Sequence, residues 1–336
     1  MNKLLGILSS GVVFSAAMGL LAPGSVCAQG ASVLMFSDEE HSIHIFPPVG
    51  AAVERAAART TLNAQAGQLD YHGGPVMSGN VTTYAIFWAP AKLQNGKPTT
   101  MSAHYRTVQL NMLSDYPGHG IDNNNTQYYQ GSASQTYIRN AGGLGGSYVD
   151  TSPYPHSGCT DPATPGNCIS DAQIHAEIKK VMALKGWTGG LNKMFLLFTS
   201  SGEGSCFLSN PAMCAYTDYC AYHGYFFIGN TPVIYGNEPY GEPNGCQVEG
   251  TPSPNNDVAA DTAATAASHE LTEAITDPLL NAWYTADGDE IGDLCAYNYG
   301  SNSWAGGAAN QMWNGRFYEL QQEWNNHAGG CVQVGP

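Results

Sequence analysis

The sequence predicts an α+β fold: a twisted mixed sheet with helices packed against it, in a single disulfide-stapled domain. Three observations predict it. Runs rich in β-formers, Val81 to Trp88 and Met194 to Thr199, are interleaved with helical stretches at Ser102 to Tyr116 and Ser170 to Lys185. A long Ala/Thr-rich stretch, Asp257 to Ile275, reads as a further helix. Eight cysteines follow the N-terminal apolar segment, namely Cys159, Cys168, Cys206, Cys214, Cys220, Cys246, Cys295 and Cys331. An even number in an exported chain points to disulfides.

Export itself is read from residues 1–28. Lys3 supplies a positive start, Leu4 to Leu21 is apolar, and Val26-Cys27-Ala28 offers a cleavage site before Gln29, the pattern of a secretory signal peptide. A membrane anchor is the alternative. Breaks at Ser9, Ser10, Gly11 and Ser15, and the lack of stop-transfer charges, favour cleavage. A lipoprotein built on Cys27 would need a smaller residue than Val26. No later stretch is long and apolar enough to span a bilayer, so no transmembrane segment is expected after cleavage. The 336 residues carry a net charge of -15 with 12 Lys and Arg, so the basic footprint of nucleic-acid binding is absent. With 40 Gly, 19 Pro and 19 Tyr, the composition fits a loop-rich secreted protein.

Residues 29–70 read as a weakly structured lead-in or pro-segment with a short helix over Ala51 to Ala58, and 71–336 as the extracellular domain. Val81 to Trp88 alternates, with Val81, Thr83, Ala85 and Phe87 on one face and Thr82, Tyr84, Ile86 and Trp88 on the other. The Ser102–Tyr116 helix has Ser102 as its cap, an apolar stripe at Val108, Met112 and Leu113, and Pro117-Gly118 as its stop. Thr136 to Ile138 and Ser147 to Val149 are expected as short strands. The Ser170–Lys185 helix buries Ile174, Ile178, Val181 and Met182 and stops at Gly186. Met194 to Thr199 is a continuous apolar run, the mark of a central strand. Cys220 to Ile228 leads into another strand with His223 at its mouth, and Phe317 to Trp324 is expected as a closing strand. Cys159–Cys168, Cys214–Cys220 and Cys295–Cys331 are the expected pairs. His72-Gly73-Gly74 predicts a tight turn, or a close approach of the backbone to another group.

The chemistry concentrates on the last helix, in Ser268-His269-Glu270-Leu271-Thr272-Glu273. His269 and Glu273 are four apart and share a face. The order matches the H-E-x-x-H helix of zinc peptidases, with Glu in place of the second His, so the helix is zincin-like. In that layout His269 and Glu273 hold Zn2+, Glu290 or Asp293 supplies a third ligand, and Glu270 activates a water. His223 or Tyr284 would stabilise the oxyanion. Two carboxylate ligands would leave the zinc less electron-poor, so slow hydrolysis or a high pH optimum is expected. The bland alternative is a surface or buried His–Glu pair with no metal. For the acidic loop Asp287 to Asp293, the alternatives are a Ca2+ site or a solvated turn.

Beyond these motifs, several long segments resemble the EXORDIUM / phosphate-induced protein 1 family. They are Tyr71 to Val76 before a strand, Met194 to Thr199, Cys220-Ala221-Tyr222-His223-Gly224, Asn281-Ala282-Trp283-Tyr284 and Glu290-Ile291-Gly292-Asp293-Leu294-Cys295. The resemblance implies an extracellular protein of the plant cell-wall type and leaves the activity open. Two functions are therefore expected. One is a secreted zinc metallopeptidase acting on extracellular peptides or proteins. The other is a non-enzymatic wall or matrix protein that binds carbohydrate or a receptor through its Tyr/Asn/Gly-rich loops.

Overall fold

A computed structural model of the chain describes residues 34–37, 41–61, 68–208, 212–241, 245–247 and 253–336. The expected signal peptide lies outside these residues. Seven strands make the central sheet: β1 (Met35–Ser37), β2 (Ser42–Phe46), β3 (Val81–Trp88), β4 (Gly142–Asp150), β5 (Lys193–Phe198), β6 (Ala221–Ile228) and β7 (Thr231–Glu238). Their spatial order is β1-β2-β6-β7-β5-β3-β4. β7, β5, β3 and β4 run parallel to one another. β6 is antiparallel to both β7 and β2, and β2 is antiparallel to β1. The sheet is therefore mixed.

Helices cover both faces, which explains why β5 is a continuous apolar run. The helices are α1 (Val49–Thr61), α2 (Ala103–Asp115), α3 (Gly120–Asn125), α4 (Asp171–Lys185) and α5 (Val258–Thr276). The alternation of β3 sorts its residues between two cores. Val81, Ala85 and Phe87 meet α2 and α5, while Ile86 and Trp88 meet Ile174, Ile178 and Val181 of α4. The caps are those expected. Ser102 Oγ accepts the Tyr105 N–H at 2.8 Å, Ser170 and Gln173 form a capping box, and Gly186 closes α4 at φ +69°. α5 starts at Asp257, whose side chain accepts the Ala260 N–H. Its Ala260, Ala263, Ala264, Ala267 and Ala274 are buried against the sheet face. Small side chains bring this helix backbone close to the strands. Among the described residues no helix is long and apolar enough to cross a membrane.

Three expectations are corrected. The segment read as a weakly structured lead-in supplies β1, β2 and α1, and β2 is an inner strand with Ile43, Ile45 and Phe46 buried. The tail forms no single strand over Phe317 to Trp324. It makes two hairpins, Gln311–Trp313 with Arg316–Tyr318 and Glu323–Asn325 with Gly330–Val332. Between them the Asn310 side chain bonds both the N–H and the carbonyl of Leu320, taking the place of ladder partners. Third, Cys159–Cys168 and Cys295–Cys331 are bonded, but Cys214 pairs with Cys206 and Cys220 with Cys246. Cys206 and Cys214 lie directly opposite in the antiparallel pair of Gly204–Phe207 with Met213–Cys214. That placement comes from strand pairing and is invisible in cysteine spacing.

Candidate functional site

The site lies between the sheet and α5. His44 of β2 and His223 of β6 are directly opposite in the antiparallel ladder, so both project from the same face. α5 lays His269, Glu270 and Glu273 over that face, and the chain beyond it adds Glu290 and Asp293. None of these seven side chains is more than 2 % exposed. The returning chain is fixed by Asp277 at the end of α5, whose Oδ1 accepts the N–H groups of Asn281 (2.6 Å) and Ala282 (2.7 Å). His72-Gly73-Gly74 runs against it, with the His72 N–H donating to Ala282 O and the Gly74 N–H to Asn281 O. A Cβ on Gly74 would stand 1.8 Å from Asn281 Oδ1, so the close approach expected of His-Gly-Gly is to this segment. Arg55 and Arg59 of α1 both pair with Asp289, anchoring the acidic loop.

Hydrogen bonds assign the histidine nitrogens. His223 Nδ1 lies 3.1 Å from Glu270 Oε2, and donates to it when that carboxylate is ionised. His223 Nε2 makes no hydrogen bond and stands 3.9 Å from Glu290 Oε2. His44 Nε2 lies 3.1 Å from the Gly288 carbonyl, which fixes a proton there. His44 Nδ1 faces Glu273 Oε2 at 3.2 Å and Glu290 Oε1 at 3.9 Å. His269 is set differently. The Gln321 amide nitrogen donates to Gly292 O and, at 3.0 Å, to His269 Nδ1. That leaves the ring proton on Nε2, which faces Glu273 Oε1 at 3.1 Å. A Cβ on Gly292 would come within 2.5 Å of His269 Nδ1, so this glycine admits the ring.

The centre holds more carboxylates than cations. Burial and the neighbouring Glu273 push the Glu270 carboxyl well above its usual range, and burial with Asp277 and Glu273 does the same to Glu290. Asp293 rises to about 7 through burial and Glu273. For Glu273, burial is outweighed by His269 and His44, which hold it well below the usual range. For His44, burial is outweighed by Asp293 and Glu273, and its pKa rises to about 9. Burial lowers His223. Both oxygens of Glu290, Glu270 Oε1, Glu273 Oε1 and Asp293 Oδ1 make no hydrogen bond to protein. Buried polar atoms in that state are costly unless a proton or a cation meets them. Donor atoms of His44, His223, Glu273 and Glu290 lie within 4.8 Å of one another, as do those of His269, Glu273 and Asp293. Either set has the reach of a single ion.

Of the residues singled out from sequence, His223, His269, Glu270, Glu273, Glu290 and Asp293 come together. His269 and Glu273 meet one turn apart, and Glu290 and Asp293 each come within one ion's reach of Glu273. Tyr284 stands at the margin, stacked on His72 with ring centroids 3.6 Å apart. Its phenol is raised by burial and by Asp277 and Glu290. In the acidic loop Asp287 is exposed, Asp289 is paired with the two arginines, and Asp293 Oδ2 accepts the Glu290 N–H at 2.7 Å, so these carboxylates turn to different partners. Two residues were not foreseen. His44 had one available signal, a histidine inside the β-rich run Ser42-Ile43-His44-Ile45-Phe46. Gln321 had none, being an amide in a Gln-rich tail.

A cystine-stapled α+β domain with a buried His–carboxylate centre is the class that fold and site define. Residues 210–325, which hold every residue of the centre but His44, match the phosphate-induced protein 1 conserved region. Protein EXORDIUM-like 5 of Arabidopsis thaliana is 33% identical over 95 residues, covering 23% of this chain and 26% of that protein. Protein EXORDIUM-like 3 of the same plant is 41% identical over 66 residues, covering 18% of this chain and 19% of that protein. The matches thus span about a quarter or less of these relatives. They support the family resemblance, which the conserved region places at residues 210–325. No solved structure matches the chain. The disulfides and these relatives are consistent with an extracellular protein.

Proposed function

We propose that the centre binds one divalent metal ion, zinc by its donor set, and that the chain is an extracellular metal-dependent hydrolase with peptides as its substrate class. One observation carries this reading: His223 Nε2 and both Glu290 oxygens are buried and make no hydrogen bond to the described residues, and one donor atom from each of His44, His223, Glu273 and Glu290 falls within one ion's reach. His223 Nε2, His44 Nδ1, Glu273 and Glu290 would hold the ion. Each histidine already gives its other nitrogen to an acceptor, the arrangement that orients ligating imidazoles. A zinc ion there would serve as a Lewis acid toward a substrate carbonyl. Held ionised by a nearby cation, Glu270 would orient His223 through Oε2 and take a proton on Oε1. Tyr284 supplies a hydroxyl donor for developing negative charge. His269 Nε2 stands 3.1 Å from Glu273 Oε1 and would act on Glu273 by its charge, a role different from the ligand expected of the helix motif.

A second reading, a non-enzymatic extracellular wall or matrix protein, is favoured by the complete burial of the seven groups. In it the centre is a structural network or a closed metal site. Hydrolysis of a broad peptide library separates the two. The hydrolase reading expects cleavage that Glu270→Gln abolishes while zinc content stays within about tenfold affinity of wild type. Zinc binding without cleavage in either protein supports the closed site.

A further inference from the structure

We propose a second metal site on the opposite face of the sheet, formed by His41, Asp171 and His175 and suited to zinc or copper(II). It shares no residue with the centre. Nitrogen and oxygen donors of the three side chains lie within 4.8 Å of one another. His175, on α4, is 3 % exposed, and its Nε2 makes no hydrogen bond although Asp171 Oδ2 is 3.2 Å away. Two ligands of one ion stand at such a distance without being aligned to bond each other.

Asp171 is held for this role from behind. The hydroxyls of Tyr222 and Tyr235 both donate to its Oδ1, at 2.8 and 2.5 Å, which directs Oδ2 toward His175. Hydrogen bonds of this kind orient a ligating carboxylate. The His175 ring is wedged by Phe226 and the edge of Tyr235, with centroids 4.3 and 4.7 Å away. The His41 ring meets it edge-on at 4.7 Å. His41 is partly exposed, so an ion can arrive from solvent. Two imidazoles and one carboxylate suit zinc and copper(II) better than calcium or magnesium.

The site has a structural consequence. His41 stands just before β2, three residues from His44. An ion bridging His41 to the first turn of α4 would pin the strand that delivers His44 to the centre.

Zinc titration by calorimetry of the whole protein tests this, with His41→Ala beside wild type and His156→Ala, an exposed histidine, as control. The expected result is one zinc fewer per chain, or binding weakened more than about tenfold, in His41→Ala alone. Glu290→Gln, which alters only the centre, should retain this ion. Equal zinc binding in His41→Ala and wild type would overturn the site, as would an equal loss in His156→Ala. Failure of the centre reads out separately, as unchanged zinc in Glu290→Gln.

Discussion

Two buried carboxylates show how differently this fold treats a charge. Asp115, at the end of α2, is 3 % exposed and fully answered. Its Oδ1 accepts from Asn314 and Arg316, and its Oδ2 from Arg316 and Tyr318, all between 2.7 and 2.9 Å. Burial alone would raise it, but Asn314, Tyr318 and Arg316 outweigh that and hold it below the usual range. Glu290 is as buried, accepts no hydrogen bond and is pushed far up. Asp115 shows that this fold can saturate a buried acid, although Glu203, outside the centre, keeps both of its oxygens unbonded. The centre differs in that its unanswered oxygens, on Glu290, Glu270 and Asp293, sit among clustered histidine and carboxylate donors, where a proton or a cation would answer them.

The comparison breaks first at Glu273, the acid of the centre held in its ionised form. In the metal-free protein, Glu273→Ala should strand the His44 imidazolium and destabilise the fold by about 3–5 kcal/mol, measured by urea unfolding. A loss under about 1 kcal/mol would mean the centre carries no such ion pair.

Next comes pH. Asp122 is raised to about 7 by burial, and Glu203 to about 8 by burial. A folded-state pKa above the unfolded one contributes stability that is complete below the unfolded value and is lost as pH rises through the folded value. The metal-free protein should therefore lose stability between about pH 4 and pH 8, at about 1.4 kcal/mol per unit of net displacement. Asp115 has the opposite sign: its contribution is present above the unfolded carboxylate value and lost as pH falls below it. Thermal unfolding midpoints across this range check the balance, and a midpoint that climbs steadily to pH 8 would contradict the raised groups.

The answered site gives the next effect. Asp115→Asn removes a paired charge beside a half-exposed Arg316 and should cost about 1–3 kcal/mol in urea. The smallest effect is predicted where burial is equal and partners are missing. Metal-free Glu290→Gln replaces a protonated acid by a near-isostere and should cost under about 1 kcal/mol. If Glu290→Gln costs more than Asp115→Asn, the two acids are not in the contrasting states described.

Much of this was legible in the sequence where the signal was local. The caps Ser102, Ser170 and Gly186, the alternation of Val81 to Trp88 and the i, i+4 pairing of His269 with Glu273 each follow from a few neighbouring residues. What was hidden depends on partners far along the chain. β2 is five residues long and precedes an Ala/Arg-rich helix, so its apolar run resembles a linker until β6 pairs with it. His44 enters the centre only through that ladder. Cys206 finds Cys214 through strand pairing, and Gln321 meets His269 Nδ1 from a tail in which Asn310 bonds the Leu320 backbone between two hairpins. Sequence spacing does not separate Glu290 from Asp293, because each lies within one ion's reach of Glu273, in a different group of side chains.

The most direct measurement is zinc content by elemental analysis, after zinc has been offered and excess removed, on wild type and on Glu290→Gln. The account predicts about one zinc per chain fewer in the variant, with unfolding midpoints of the two metal-free proteins nearly equal. Equal zinc in both proteins would contradict it, leaving the centre as a protonated His–carboxylate network with no metal.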